Sequence, residues 1–179
     1  YSDLCFNFNQ SVSNAYYSNI YTVNSIPVPL HKSGAIRIQI KNDTIANKKQ
    51  YGIVQVNAKA DSWIGGSYSN GFLQANINEL GKKYAISVDK TPPTITPIEE
   101  KLWTKQSAIK VRLSDNFSGI ESFRGEVDGK FVLFTHDVKS TVYTYKFDDR
   151  LTRGKTHQLV FKATDRCGNI SEFKTEFEY

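Results

Sequence analysis

The stretch Val88-Asp89-Lys90-Thr91-Pro92-Pro93-Thr94-Ile95 decides how this chain is organised, because an apolar strand runs there into two consecutive prolines. Proline fixes its own φ angle and has no backbone N–H to donate, so the chain must leave one sheet before it enters another. The stretch therefore predicts a stiff joint between two β domains. We place residues 1–90 in the first domain and residues 91–179 in the second.

A tight chain reversal near the C-terminus is the second organising signal. Residues 163–171 read Ala-Thr-Asp-Arg-Cys-Gly-Asn-Ile-Ser, an Asp-x-x-Gly-Asn turn between two alternating strands. Gly168 can take a positive φ there, and Asp165 can accept turn N–H groups. We interpret Asp165, Gly168 and Asn169 as structural turn residues. The joint and this turn together indicate tandem β-sandwich domains, the second of them immunoglobulin-like.

Apolar and polar residues alternate along most of both halves, which is typical of half-buried strands. The dipeptides Asn70-Gly71 and Asp128-Gly129 interrupt this pattern and predict two-residue hairpin turns, because both positions tolerate positive φ. One short helical turn is expected over residues 99–105, anchored by Trp103. The predicted fold is all-β, with strands at Leu4–Phe8, Ala35–Ile40, Gly52–Asn57, Tyr84–Val88, Ile109–Leu113, Phe123–Val127, Phe131–Phe134, Val142–Phe147, Gln158–Ala163 and Phe173–Phe177.

The charge pattern argues against nucleic acid as a partner. The net charge is +5, with nine basic and five acidic residues up to Lys90 and fourteen and thirteen after it. These charges are scattered, whereas nucleic-acid binders concentrate Lys and Arg along one face. No apolar run is long enough to span a membrane. The chain begins with tyrosine and has no methionine, so we expect it to be a piece of a longer protein.

The two cysteines lie in different halves of the chain. A disulfide between Cys5 and Cys167 would clamp one domain to the other, and its demanding geometry cannot be inferred from sequence. Two buried thiols that act as small apolar side chains are the simpler interpretation. Their spacing also gives no support for a redox or zinc role.

The search for catalytic chemistry is negative. His31, His136 and His157 have neither H-x-H nor H-E-x-x-H spacing, so no zinc site can be read locally. Nucleophile-elbow, phosphate-loop and dinucleotide-binding patterns do not occur either. We therefore expect no catalytic residue, no metal site and no cofactor in this chain.

Several carboxylates lie close together in sequence. Glu99-Glu100 and Asp148-Asp149 are neighbours that point to opposite faces of a strand, so they do not form an acid/base pair. Asp115-Asn116, and Asp165 with Asn169, could offer oxygens to calcium. We favour turn capping over calcium for these residues, since no EF-hand-like ligand run is present.

Aromatic residues beside Gly-, Ser- and Asn-rich stretches suggest a binding function. Flat rings can stack on sugars, so Tyr16, Tyr17, Trp63 and Tyr68 are candidate glycan-facing side chains. Strand alternation turns many such rings inward, which leaves a purely structural role open for each of them.

Each half of the chain resembles part of a known protein family. The first half resembles the segment that follows the catalytic domain in cell-envelope peptidases of Gram-negative anaerobes, and the second half resembles the immunoglobulin-like domain that ends them. Those proteins are lysostaphin-type zinc metallopeptidases, which cut peptide cross-links of peptidoglycan. The resemblance rests on residues 16–21, 28–32, 65–71 and 80–86 in the first half, and on residues 115–120, 123–130 and 164–169 in the second.

The resemblance implies an accessory region and not an enzyme. The zinc site of those peptidases needs an H-x-H element, which this sequence lacks. The leading hypothesis is a non-catalytic region that spaces, stabilises or docks an upstream catalytic domain of the same polypeptide on peptidoglycan. The location would be periplasmic, cell-envelope or extracellular. A surface-adhesion or glycan-binding module is the alternative, and an enzyme that joins carboxylates of both halves is the least favoured.

Overall fold

A computed structural model describes residues 7–179 of the chain. The chain divides into two compact units, Tyr1–Lys90 and Thr91–Tyr179, and the first unit is described from residue 7. Nearly all regular structure in both units is antiparallel β, so the prediction of an all-β fold is confirmed. Within residues 7–179 there is no helix with the length and apolar character that a membrane crossing requires.

The first unit contains eight described strands in two antiparallel sheets. One sheet has the order β1-β2-β8-β4-β5 and the other the order β3-β7-β6. A single 3₁₀ turn, Lys48–Gln50, precedes β4. The strands are β1 Phe8–Ser11, β2 Ile20–Val23, β3 Val28–Gln39, β4 Tyr51–Val56, β5 Ser62–Gly65, β6 Ser67–Ser69, β7 Phe72–Leu80 and β8 Lys83–Val88.

The core of the first unit follows from side-chain alternation along the strands. Alternate residues of β7 point to opposite faces, so Leu73 is fully buried while its neighbour Gln74 is exposed. Ile36 and Ile38 on β3 and Ile53 on β4 pack in the same cluster. The other face of the β3-β7-β6 sheet is therefore turned to solvent and lined by polar side chains.

The second unit has seven strands in two antiparallel sheets, the arrangement of an immunoglobulin-like sandwich. A three-stranded sheet has the order β13-β10-β9, and a four-stranded sheet has the order β12-β11-β14-β15. The elements are β9 Thr94–Pro97, a 3₁₀ turn Glu100–Leu102, α1 Trp103–Gln106, β10 Ala108–Ser114, β11 Ile120–Val127, β12 Lys130–Val132, β13 Val142–Lys146, β14 Thr156–Asp165 and β15 Ile170–Glu178.

Trp103 anchors the only helix among the described residues, as the sequence predicts. Its side chain is fully buried, and its indole N–H donates to the carbonyl of Ile98 at 2.8 Å. The ring also packs edge-on against Phe177 with centroids 6.3 Å apart. A buried indole that keeps a hydrogen-bond partner can fill the end of a sandwich without leaving an unsatisfied donor.

Both predicted hairpin turns are confirmed. Asn70 and Gly71 have φ angles of 49° and 79° and join β6 to β7. Asp128 and Gly129 have φ angles of 51° and 73° and join β11 to β12. Positive φ at both central residues matches the right-handed twist of the paired strands.

The structure describes only one of the two cysteines, so it bears on only part of their interpretation. Cys5 and most of the strand predicted at Leu4–Phe8 lie outside the described residues. Cys167 lies in the turn between β14 and β15 and is 1% exposed.

A buried histidine joins three segments of the second unit. His157 on β14 is 4% exposed, and its Nδ1 lies 2.7 Å from a carboxylate oxygen of Asp128. Its Nε2 lies 2.9 Å from the carbonyl oxygen of Thr152. Burial opposes the charged ring, but the hydrogen bonds to Asp128 and Thr152 outweigh it and raise the pKa of His157. Both nitrogens thus face acceptors, which suits a doubly protonated ring.

This arrangement predicts a stability that depends on pH. A raised pKa in the folded state stabilises the protein below the unfolded pKa of about 6.5, and this contribution is lost as pH rises through the folded value. We therefore expect the free energy of unfolding to fall as the pH rises from about 6 to about 9. In His157→Gln this fall should disappear, whereas it should persist in the control His136→Gln, which alters an exposed ring. Urea unfolding at the two pH values measures the free energy of unfolding of each variant. If His157→Gln shows the same difference between the two pH values as the parent chain, His157 is not the source of the pH dependence.

The second unit should also fold alone. Strands β9 to β15 pair with one another in the two sheets, and their core cluster is made of residues 103–177. We expect a fragment of residues 91–179 to unfold cooperatively in urea, because it carries its own core. If the fragment gives no transition while the full chain does, the boundary at Lys90 is wrong.

Candidate functional site

A groove in the first unit, lined by both polar and apolar groups, brings together two of the predicted glycan-facing residues. This tyrosine groove has a volume of about 630 Å³. It lies between the segment before β2 and the segment that follows β3. Its walls include Asn14, Tyr16, Tyr17, Lys41, Asn42 and Thr44.

Tyr16 presents a partly exposed ring that is fixed at its far end. Its hydroxyl donates to a carboxylate oxygen of Asp61 at 2.7 Å. Burial raises the pKa of Tyr16 to about 12, and the hydrogen bond to Asp61 adds to the shift. The hydroxyl therefore stays protonated and continues to donate. A ring held in this way loses little freedom when a ligand packs on it.

The two walls of the groove are tied together through the backbone. The Lys41 N–H donates to the carbonyl of Tyr17 at 2.8 Å, and the Lys41 ammonium donates to the carbonyl of Ser13 at 3.2 Å. Tyr17 also packs edge-on against Tyr51, with ring centroids 5.3 Å apart. The groove is consequently preformed between segments that are anchored to the core.

Trp63 and Tyr68, the other two predicted glycan-facing residues, do not line this groove. The indole of Trp63 covers Gly52, where an added Cβ would lie 2.2 Å from the ring. The Tyr68 hydroxyl donates to Asp43 at 2.6 Å, and the Lys48 ammonium lies 5.4 Å from the Tyr68 ring centre. The hydrogen bond to Asp43 raises the pKa of Tyr68. Both side chains thus make contacts inside the protein.

The groove offers two kinds of group that contact sugars in proteins. A pyranose presents an apolar C–H face that packs on an aromatic ring, and hydroxyls that exchange hydrogen bonds with amides and side-chain hydroxyls. The groove offers both, with the ring of Tyr16 beside Asn14, Asn42 and Thr44. Sequence reasoning missed these three polar residues. Short polar residues are typical of loops, so in the sequence they give no sign of a binding role. Only the folded chain places residues 42 and 44 beside residue 16.

The structure places the predicted turn residues Asp165, Gly168 and Asn169 between β14 and β15. One carboxylate oxygen of Asp165 accepts from the N–H groups of Cys167 and Asn169 at 2.9 and 2.8 Å. The other oxygen accepts from the Asn169 side-chain amide at 2.7 Å. Gly168 has a φ angle of 80°, and Asp165 is 1% exposed. The buried carboxylate of Asp165 therefore stabilises the chain reversal between β14 and β15.

Asp115 makes a similar cap in the same unit. One of its carboxylate oxygens accepts from the N–H groups of Phe117 and Gly119 at 3.0 and 2.7 Å. Its other oxygen is buried and has no hydrogen-bond partner among residues 7–179. Carboxylate oxygens of Asp115 and Asp165 lie within 4.8 Å of each other, a spacing that oxygen ligands of a calcium ion also have.

Comparison with known proteins adds one finding. Residues 1–89 match the family model of the Zu5-like domain, which is a β-rich domain. The first unit is thus similar to Zu5-like domains over its whole length, and this match makes no link to lysostaphin-type peptidases. A search of curated proteins gives no significant match.

Removing the Asp165 carboxylate should destabilise the second unit. Asp165→Ala leaves the N–H groups of Cys167 and Asn169 without their acceptor, and each buried donor costs about 1–3 kcal/mol. We expect a lower melting temperature for Asp165→Ala and an unchanged one for Asp149→Ala, which removes an exposed carboxylate.

The same melts decide between the cap and a calcium site. If Asp165 only caps the turn, the loss is equal with calcium and with a chelator. If the carboxylates bind calcium, added calcium raises the melting temperature of the parent chain and leaves that of Asp165→Ala unchanged.

Proposed function

We propose that this chain is a non-catalytic accessory region of a cell-envelope protein, and that its tyrosine groove holds a sugar chain of the envelope. One observation carries the proposal. The partly exposed ring of Tyr16 is fixed through Asp61 and is surrounded by amide and hydroxyl side chains. A neutral sugar chain satisfies both kinds of group at once.

Sugar binding at such a groove would rely on preorganisation more than on buried area. The ring of Tyr16 is already held, and the backbone link between Lys41 and Tyr17 fixes the opposite wall. Little side-chain freedom then remains to be lost when a ligand enters. The open groove suits the side of a long chain, and weak binding of each repeat would add up along an insoluble polymer.

The catalytic partner in this proposal is an upstream lysostaphin-type peptidase domain of the same polypeptide. The turn and strand motifs at residues 65–71, 115–120 and 164–169 support it through their resemblance to the regions that follow such domains. The chain would then keep the enzyme on peptidoglycan, in the periplasm, in the cell envelope or outside the cell. An open reading frame with H-x-H zinc ligands upstream of Tyr1 is the expected finding, and a frame without such a domain would remove this part of the proposal.

Co-sedimentation with purified peptidoglycan tests the groove. We expect the parent chain to pellet with the polymer and Tyr16→Ala to bind about tenfold more weakly, which corresponds to about 1.4 kcal/mol of lost stacking. Tyr16→Phe keeps the ring but loses the hydrogen bond to Asp61, so its binding should be intermediate.

The control for this experiment is Phe131→Ala, which removes a half-exposed ring of the second unit. Its binding should equal that of the parent. Equal weakening in Phe131→Ala and Tyr16→Ala would show that any exposed ring contributes, and the tyrosine groove would then have no special role. Melting curves of all variants establish that each is folded at the temperature of the assay.

A further inference from the structure

A second groove lies on the solvent face of the β3-β7-β6 sheet. This arginine face has a volume of about 750 Å³ and shares no lining residue with the tyrosine groove. Its side chains include Arg37 on β3, Ser67 and Ser69 on β6, and Phe72, Gln74 and Asn76 on β7. No motif in the sequence points to it, because the three strands contribute separate, ordinary polar residues.

Strand register builds this face. Arg37 is paired with Gln74, and Gln74 is paired with Ser67 on the other side. Directly opposed residues of antiparallel strands project to the same face, so these three side chains form one row across the sheet. Phe72 and Asn76 lie two residues from Gln74 and share its face.

The guanidinium of Arg37 is positioned without being neutralised. Its Cζ lies 4.3 Å from the centre of the Phe72 ring, a cation–π contact that holds the guanidinium over the ring. Among residues 7–179, no carboxylate forms an ion pair with Arg37. Its N–H donors are therefore available at the edge of the plane, where a carboxylate can accept two of them.

One position in the lining of the groove requires glycine. Gly66 has a φ angle of 134°, and a Cβ there would lie 2.8 Å from the carbonyl oxygen of Gln74. The backbone of the β5–β6 connection thus approaches β7 closely at this glycine.

We infer that the arginine face binds an acidic sugar chain, with a carboxylate of the sugar held by Arg37. The positive charge calls for an anion, and the planar fork of donors matches a carboxylate. The serine hydroxyls and the amides of Gln74 and Asn76 suit sugar hydroxyls. Most of the surface of the groove is polar, so a sugar fits its lining better than an apolar peptide side chain does.

Calorimetric titration of the full chain with oligogalacturonate, which has a carboxylate on every sugar, tests this inference. A neutral malto-oligosaccharide of the same length is the reference ligand. We expect Arg37→Gln to lose about tenfold in affinity for the acidic ligand, and to bind the neutral ligand, which can use the tyrosine groove, as the parent chain does. Arg37→Lys keeps the charge but not the planar fork, so its affinity should also fall, by about threefold or more.

Lys32→Gln is the matched control, because it removes the same charge from an exposed position of the same strand, outside the groove. It should bind within about twofold of the parent chain at moderate salt. An equal loss in Lys32→Gln and Arg37→Gln, or equal binding of a sulfated oligosaccharide, would reduce the effect to general attraction by a basic protein and overturn the inference. An equal loss for the neutral and the acidic ligand in Arg37→Gln would overturn it too.

Gln74→Leu provides a second test that leaves every charge in place. It keeps the size of the side chain but removes an amide next to Arg37. We expect weaker binding of oligogalacturonate in Gln74→Leu and the same melting temperature as the parent. This site is independent of the tyrosine groove, so Tyr16→Ala should leave the affinity for oligogalacturonate unchanged.

Discussion

The structure depends on strand register, because one residue of slippage would exchange the buried and exposed faces of a sheet. On β7, Leu73 is fully buried between Phe72 and Gln74, which face solvent. A slip by one position on β3 would turn Arg37 into the core and Ile36 into water. Burying an unpaired guanidinium costs far more than any single turn can supply. The hydrophobic pattern and the polar face of the first unit are therefore fixed by the same constraint.

Short polar turns hold that register at the ends of the strands. Asn70-Gly71 sets β6 against β7, and Asp128-Gly129 sets β11 against β12. The turn at Asp165 works differently, since a buried carboxylate gathers N–H groups of the backbone instead of relying on φ alone. In each case, local chemistry selects one pairing from the several that alternating strands would allow.

Much of the fold could be predicted from the sequence, because alternation and turn residues are local signals. The strand at Ala35–Ile40 is found as the end of β3, and both hairpins form where their dipeptides lie. The sites were less accessible to prediction. Tyr16 gives a compositional signal, but Asn42 and Thr44 reach its groove only through the fold. The row of Arg37, Gln74 and Ser67 across the β3-β7-β6 sheet depends on the register of three strands. That register cannot be predicted from a single sequence.

Both units contain ion pairs, and each also contains an arginine that packs on an aromatic ring without an ion pair among the described residues. In the second unit, several charged side chains have partners inside the protein: His157 with Asp128, and Lys162 and Lys174 with Glu172. The charged groups in these pairs already have hydrogen-bond partners within the protein. Arg37 in the first unit is stacked on a ring and has no counter-ion among the described residues. An oriented charge of this kind adds little stability at a surface, whereas a carboxylate ligand would use its full set of donors.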